Sequence, residues 1–161
     1  MTLHLTYVPN MVVRERLDQW ENAVRRDAQV GPGDWRMLAI WPAARDAAVS
    51  GSTGIEGNPL DPAAVEEVLA GAAVEADADH IREVENYNRA LNLARDAAAR
   101  PDFNWSHEVI HLINATVMEG LPRDTHGNYR GPDEDVFVGI FTGPTPLMVQ
   151  SLMDELVAWL R

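Results

Sequence analysis

The spacing of apolar residues along the chain predicts a mostly α-helical protein. Apolar positions recur every three or four residues in several stretches, which places them on one face of a helix. The clearest stretch runs from about Asp79 to Ala99, with Pro101 just past its end. Residues that commonly begin helices mark further starts at Asp34, Asp61-Pro62, Ser106 and Thr145-Pro146. The last of these helices is predicted to face inward through Val149, Leu152, Met153, Leu156 and Leu160.

The pattern changes between Asp124 and Gly143, where glycine and proline are frequent. Within this stretch, residues 136–141 alternate with the period of two that is typical of a strand. We see no internal repeat and no second domain, and we expect one domain over residues 1–161. Its predicted parts are an N-terminal helical segment (1–33), a helix region (34–60), further helices (61–123), a β-hairpin (124–143) and a last helix (144–161).

Composition narrows the classes of function. A chain of 161 residues is long enough for a hydrophobic core, and no stretch approaches the roughly 20 apolar residues that span a membrane. The formal charge of −12 argues against binding to nucleic acid, because such a surface repels phosphates. The sequence has no cysteine and no secretory signal, so we expect a cytoplasmic protein.

A short segment around Glu56 is unusual on physical grounds. Ser52 and Glu56 are four residues apart, so on a helix they share one face. Gly57 then ends the helix and leaves Glu56 at its partially negative C-terminal end. A carboxylate in that place is mildly destabilising unless a cation lies nearby. Two interpretations of Glu56 stay open: it is a solvated turn residue, or it is a carboxylate that pairs with a cation.

The same segment resembles a motif of the Fic family of proteins. The inhibitory motif of self-inhibited Fic proteins is Ser or Thr, three residues, Glu, then Gly or Asn, which Ser52, Glu56 and Gly57 match. Three later segments resemble the family in the same order along the chain. They are residues 83–87, which resemble the start of the long helix before the Fic core, residues 127–130 with 136–139, which resemble the flap, and Pro144 with residues 153–156, which resemble the helix leading toward the active site.

The resemblance covers about Val49 to Arg161 and implies a fold and a function. It implies a helical Fic-like domain with a β-hairpin flap that lacks the C-terminal catalytic helices. Fic proteins typically transfer AMP from ATP to a hydroxyl group of a target protein. By resemblance, Glu56 is the autoinhibitory residue, which pairs with an arginine of the catalytic motif, and Ser52 helps to position it. The flap, which would dock the target protein as an extended segment, comprises Val136, Phe137, Val138, Gly139 and Ile140.

The family's catalytic motif is absent from this sequence. That motif is His, any residue, Phe, Asp or Glu, Gly, Asn, Gly and Arg, followed by a second Arg, and no histidine of the chain begins such a run. We therefore expect no catalytic residue, metal site or cofactor in this chain and no activity from it alone. ATP and Mg²⁺ are implied only for a complete parent protein. The apolar run before Arg161 predicts that the chain continues there, so a missing C-terminal half or a second copy is an expected partner.

Two alternatives stay open from the sequence. His107, Glu108 and His111 match the HExxH pattern of zinc hydrolases, in which two histidines bind zinc and the glutamate is the base. The placement of His107 in the first turn after Ser106, and the lack of an evident third ligand, count against it. The other alternative is a non-catalytic binding module resembling the antitoxins that silence some Fic enzymes. The presence of motif and flap in one chain favours inhibition within one protein.

Overall fold

The computed structural model describes residues 35–122 and 127–160, together with residues 15, 18, 19 and 22. The chain divides into two compact units, Met1–Pro42 and Ala43–Arg161. The predicted N-terminal segment 1–33 therefore lies almost wholly outside the described residues, and the division into domain segments stays a prediction. The helices are α1 (Trp35–Ile55), α2 (Pro62–Leu69), α3 (Ala78–Ala98), α4 (His107–Met118) and α5 (Pro146–Leu160), and the strands are β1 (Phe137–Val138) and β2 (Phe141–Thr142).

This architecture confirms the prediction of a mostly helical fold with one β-hairpin. Two of the four predicted helix starts, Asp61 and Ser106, have side-chain caps as expected, whereas Asp34 lies outside the described residues. Asp61 accepts a hydrogen bond from the Ala64 N–H at 2.8 Å, and Ser106 accepts one from the Val109 N–H at 3.3 Å. These contacts satisfy backbone donors that have no partner within the first turn of a helix. None of the helices within the described ranges combines the length and apolar character needed to cross a bilayer.

The core of the second unit lies where α1, α2 and α3 meet. Four valines form it: Val49 from α1, Val65 and Val68 from α2, and Val84 from α3. Each is at most 7% exposed, so together they remove most of their apolar surface from water. Partly buried residues pack around them, namely Leu60, Leu69, Val74, Ile81, Tyr87 and Leu91.

Helix α3 also packs along α4, and a buried asparagine fixes the end of α4. Asn86 is 2% exposed, and its amide nitrogen donates to the carbonyl oxygens of Val117 at 3.0 Å and Glu119 at 2.8 Å. The last carbonyl oxygens of a helix accept no hydrogen bond from within the helix. The Asn86 side chain supplies the missing donor and so caps the C-terminal end of α4. Asn86 is polar, so the apolar periodicity that predicts this helix gave it no role.

Two details of the C-terminal part differ from the sequence prediction. The alternating run 136–141 does not form one strand, because a two-residue turn at Gly139 and Ile140 divides it into β1 and β2. Gly139 has φ +61°, a conformation that glycine adopts without strain and that hairpin turns of this length require. On α5, Val157 is the buried residue, whereas Leu156, predicted to face inward, is 40% exposed.

Asn58 joins the end of α1 to the beginning of α3. Its amide nitrogen donates to the His80 carbonyl oxygen at 2.9 Å and to the Glu83 carboxylate at 2.7 Å. Its amide oxygen accepts a hydrogen bond from the Leu60 N–H at 3.1 Å. Asn58 is 8% exposed, so few water molecules could replace these partners.

We expect Asn58→Ala to lower the free energy of unfolding by about 2–3 kcal/mol, because the substitution removes these hydrogen bonds and leaves buried partners unsatisfied. Urea denaturation of the purified chain measures the change. The matched control is Asn104→Ala, since Asn104 is exposed and its amide hydrogen bond to Asp102 is 3.5 Å long. We expect this control to cost less than about 0.5 kcal/mol. Equal effects of the two substitutions would show that Asn58 does not hold the helices together.

Candidate functional site

An open groove in the second unit lies between the end of α1, the first half of α3 and the end of α4. Its volume is about 810 Å³. The apolar side chains that line it come mainly from α3 and α4 and from the residues just after α4. They include Tyr87, Val117, Met118 and Leu121, and the polar residues of the lining include Ser52, Glu56, Asp79, His80 and Glu83.

Ser52 and Glu56 both line this groove, as their spacing of four residues on a helix predicts. Gly57 ends the helix in the left-handed conformation, with φ +97°. The Gly57 N–H donates to the Gly54 carbonyl and the Asn58 N–H to the Thr53 carbonyl, each at 3.1 Å. These two bonds form the Schellman motif that commonly closes helices. The predicted end of the helix is thus present, and it leaves Glu56 in the last turn.

The Glu56 carboxylate has no partner among the residues that the structure describes. It is exposed, and it makes no hydrogen bond or ion pair with any residue in the described part of the chain. The other two carboxylates of the groove are engaged: Asp79 pairs with Arg82 at 2.6 Å, and Glu83 accepts the Asn58 hydrogen bond. Glu56 therefore faces the groove as a negative charge at the negative end of a helix dipole, where a cation would stabilise it.

Sequence reasoning missed Asn58 as a residue that positions this site. Asn58 follows the helix-ending Gly57 directly, so its hydrogen bonds to α3 hold the last turn of α1, and with it Glu56, beside the groove. A signal was present in the sequence, because asparagine after a helix end often forms a turn through its own side chain. The Leu60 N–H bond to Asn58 is such a turn. The contacts with α3 are 22 and 25 residues away along the chain and have no local signal.

The predicted flap projects into solvent. Val136 is 46% exposed, Phe137 66%, Ile140 93% and Phe141 72%. Backbone and side-chain contacts hold only its base. The Gly143 N–H donates to the Val136 carbonyl at 2.7 Å, and the Arg130 guanidinium donates to the carbonyl oxygens of Glu134, at 3.1 Å, and Pro144. The hairpin is thus anchored at its base, and its apolar residues remain accessible.

The HExxH residues meet the segment before the flap and the last helix. The His107 Nδ1 atom lies 2.6 Å from the Tyr129 hydroxyl, and its Nε2 atom lies 2.8 Å from Asp154 Oδ1. In the neutral tautomer that fits both partners, Nε2–H donates to the carboxylate and Nδ1 accepts from the hydroxyl. Burial, together with the Asp154 charge, raises the pKa of Tyr129. The two ring nitrogens of His107 are therefore occupied by protein groups.

The other two residues of the HExxH pattern do not complete a zinc site. The His111 Nε2 atom is buried without a hydrogen-bond partner among the described residues, and the ring packs edge-on against Tyr129 at 4.6 Å between centroids. Glu108 is exposed, and a hydrogen bond with the Ser106 side chain lowers the pKa of its carboxyl. Over residues 35–122 and 127–160, no group of three or more His, Cys, Asp or Glu side chains is arranged to hold a metal ion.

We predict that the purified chain contains well under one zinc ion per chain and that a chelator leaves its thermal stability unchanged. To bind zinc, His107 would have to give up its hydrogen bond with Tyr129 or with Asp154. Elemental analysis and a melting curve with and without EDTA measure both quantities. Stoichiometric zinc that is lost in His107→Gln and in His111→Gln, with a melting temperature lowered by EDTA, would contradict this prediction and support the hydrolase alternative.

Comparison with known proteins gives the fold. No protein-family model and no curated protein sequence matches the chain. Among solved structures, the chain is similar to a Fic family protein from Desulfovibrio desulfuricans G20, with a TM-score of 0.69 over 95% of this chain and a sequence identity of 20%. The fold is Fic-like. This finding confirms the fold that the sequence resemblance implied.

The match covers nearly all of this chain but less than half of the solved Fic family protein. The chain spans 46% of the length of that Fic family protein, so it corresponds to about half of it. At this level of sequence identity the similarity concerns the backbone. The roles of Ser52, Glu56, Gly57 and the flap residues 136–140 therefore stay predictions.

Proposed function

We propose that this chain is the N-terminal regulatory and target-docking part of a Fic-type protein adenylyltransferase, with Glu56 as the autoinhibitory residue. The observation that carries the proposal is the Glu56 carboxylate, which lines an open groove of a Fic-like fold and has no partner in the described part of the chain. The chain corresponds to about half of a solved Fic family protein, so the other half is the natural source of a partner for this carboxylate.

The proposed inhibition is a competition between two anions for one guanidinium group. In self-inhibited Fic proteins, the motif glutamate pairs with an arginine that otherwise holds the γ-phosphate of ATP. A pair of carboxylate and guanidinium is charge-assisted and bidentate, so it excludes the triphosphate until something displaces the carboxylate. Glu56 suits this role because it is preorganised at a helix end and has no competing partner among the residues that the structure describes.

The residues of this chain do not fit a nucleotide and metal site of their own. The sequence lacks the catalytic histidine motif of the Fic family, and the described residues offer no cluster of metal-binding side chains. The proposed contributions of this chain are the inhibitory carboxylate and, in the exposed hairpin, a surface that docks the target protein. ATP and Mg²⁺ would bind in the other half of the parent protein.

Inhibition within one protein is favoured over an antitoxin-like module. The groove with Glu56 and the exposed hairpin belong to one compact unit, Ala43–Arg161. A separate silencing protein needs the inhibitory residue but has no use for a surface that docks the target of the enzyme. The presence of both features in a single unit is what supports the regulatory and docking role.

In the longer parent protein, we expect Glu56→Gly to raise the rate of auto-modification with labelled ATP, because it removes the competitor of the γ-phosphate. If the inhibited state loses about 2 kcal/mol, the active fraction of a mostly inhibited enzyme rises more than tenfold. Glu56→Gln keeps the shape but loses the charge, so we expect partial activation. The measurement compares initial rates and the KM for ATP among the variants.

The matched control is Glu67→Gln, which neutralises an exposed carboxylate of α2 that does not line the groove. We expect its rate to equal that of the wild type. A fold damaged by substitution would lower the rate, so an increase distinguishes release of inhibition from structural harm. Equal rates in the wild type and both Glu56 variants, with the same KM for ATP, would show that Glu56 is a solvated turn residue.

A further inference from the structure

The hairpin exposes apolar side chains on both of its faces. Phe137 pairs with Thr142, and Val138 pairs with Phe141. Because side chains alternate between the faces of a strand, Phe137 and Phe141 project to opposite faces of the hairpin. They are 66% and 72% exposed, and Ile140 in the turn is 93% exposed. The described part of the chain thus leaves both faces of the hairpin accessible.

The hairpin also has backbone groups available for pairing. The Gly143 N–H bond to the Val136 carbonyl makes these two residues a hydrogen-bonded pair. In an antiparallel ladder, hydrogen-bonded and non-hydrogen-bonded pairs alternate, so Phe137 and Thr142 direct their N–H and C=O groups toward the outer edges. An added strand could use them. Each strand has only two residues, however, so backbone pairing would supply few bonds and side-chain chemistry must provide most of the selectivity.

Most charged residues near the hairpin are acidic, and Arg130, the cation at its base, is engaged with the carbonyl oxygens of Glu134 and Pro144. Between Gly131 and Leu160 the sequence has five acidic residues and neither Lys nor Arg. Asp133, Glu134 and Asp135 directly precede the hairpin and are exposed. Glu134 accepts a hydrogen bond from the Gly131 N–H at 2.6 Å. Asp133 and Asp135 make no hydrogen bond or ion pair within the described ranges, so two carboxylates beside the apolar residues lack a partner.

We infer that the hairpin selects an extended protein segment in which apolar side chains are flanked by Lys or Arg. This inference rests on the proposed docking function and specifies the substrate class for it. The apolar residues of the segment would cover Phe137, Ile140 and Phe141, and its cations would lie beside Asp133 and Asp135. Complementary charge accelerates association and excludes acidic competitors.

A second copy of this chain is a poor occupant of the same surface. In a symmetric dimer the two hairpins would face each other, and the acidic residues 133–135 of both copies would meet. Each copy also has a formal charge of −12, so the long-range interaction between copies is repulsive. A basic segment of another protein satisfies both the apolar and the electrostatic features of the hairpin.

Fluorescence anisotropy with the purified chain tests this inference without any catalytic activity. Three labelled peptides of equal length are compared. The first has Lys and Arg on both sides of a Val-Ile-Phe centre, and the second has Asp and Glu on both sides of the same centre. The third has Lys and Arg on both sides of a centre of serines. At low salt we expect the first peptide to bind about tenfold more tightly than either of the others. In the Asp133→Asn, Asp135→Asn double variant, the affinity for the basic apolar peptide should exceed that for the acidic apolar peptide by less than about threefold.

Ile140→Ser should weaken binding of the basic apolar peptide at least about fivefold, since it removes the most exposed apolar side chain of the hairpin. The matched control is Leu112→Ser, because Leu112 is 53% exposed on α4 and belongs neither to the hairpin nor to the lining of the groove with Glu56. We expect this control to bind the peptide as the wild type does. Circular dichroism confirms that each variant is folded.

Each other outcome overturns a defined part of the account. If the basic and acidic apolar peptides bind equally and Ile140→Ser abolishes both interactions, the charge preference is overturned. Docking at the hairpin would still hold. Absence of binding by all peptides, or binding unaffected by Ile140→Ser, would overturn both the inference and the docking role. Concentration-dependent dimers in size-exclusion chromatography that dissociate in Ile140→Ser would assign the hairpin to a second copy and overturn the inference.

Discussion

The hydrogen bonds of Asn58 determine where the segment from Ser52 to Glu56 lies. The side chain joins the residue after the end of α1 to the first turns of α3 through His80 and Glu83, at 2.9 Å and 2.7 Å. A single buried amide group thereby sets the position of Glu56, two residues earlier. The valine core holds the three helices together but is non-directional, so it cannot by itself fix the last turn of α1 against the groove. Hydrogen bonds are directional and supply that precision.

In the second unit, buried asparagine side chains have hydrogen-bond partners, whereas several exposed side chains have none among the described residues. The buried amides Asn58 and Asn86 have protein partners, as buried polar groups generally require. Glu56 and the apolar residues of the hairpin, in contrast, are exposed and lack partners among the described residues. Exposed apolar residues that cluster on one small element mark interaction surfaces more often than isolated ones do. The parts of the chain that lack partners are thus the parts to which we assign regulation and docking.

Local signals in the sequence predicted much of the fold. The helix expected from about Asp79 to Ala99 is observed at Ala78–Ala98, because its apolar period and the following proline act within a few residues. The caps at Asp61 and Ser106 were predictable for the same reason. The placement of Ser52 and Glu56 on one side of α1 followed from helix geometry alone.

Contacts between distant residues could not be predicted in this way. Asn58 meets α3, and His107 meets both Tyr129 and Asp154, across separations that no local pattern encodes. The HExxH match therefore left a zinc site open as an alternative, and only the structure shows that both ring nitrogens of His107 lie against other side chains. The period-two run of residues 136–141 predicted strand structure correctly but not the turn at Gly139, because alternation does not show where a strand reverses.

The central claim is that this chain supplies an inhibitory carboxylate and a docking surface to a catalytic half that completes a Fic enzyme. Sequencing the DNA directly downstream of the Arg161 codon tests it most directly. The account predicts an open reading frame that continues in frame and encodes the catalytic histidine motif of the Fic family, with its second arginine for Glu56 to bind. A stop codon at that position, or a continuing frame without this motif, would contradict it.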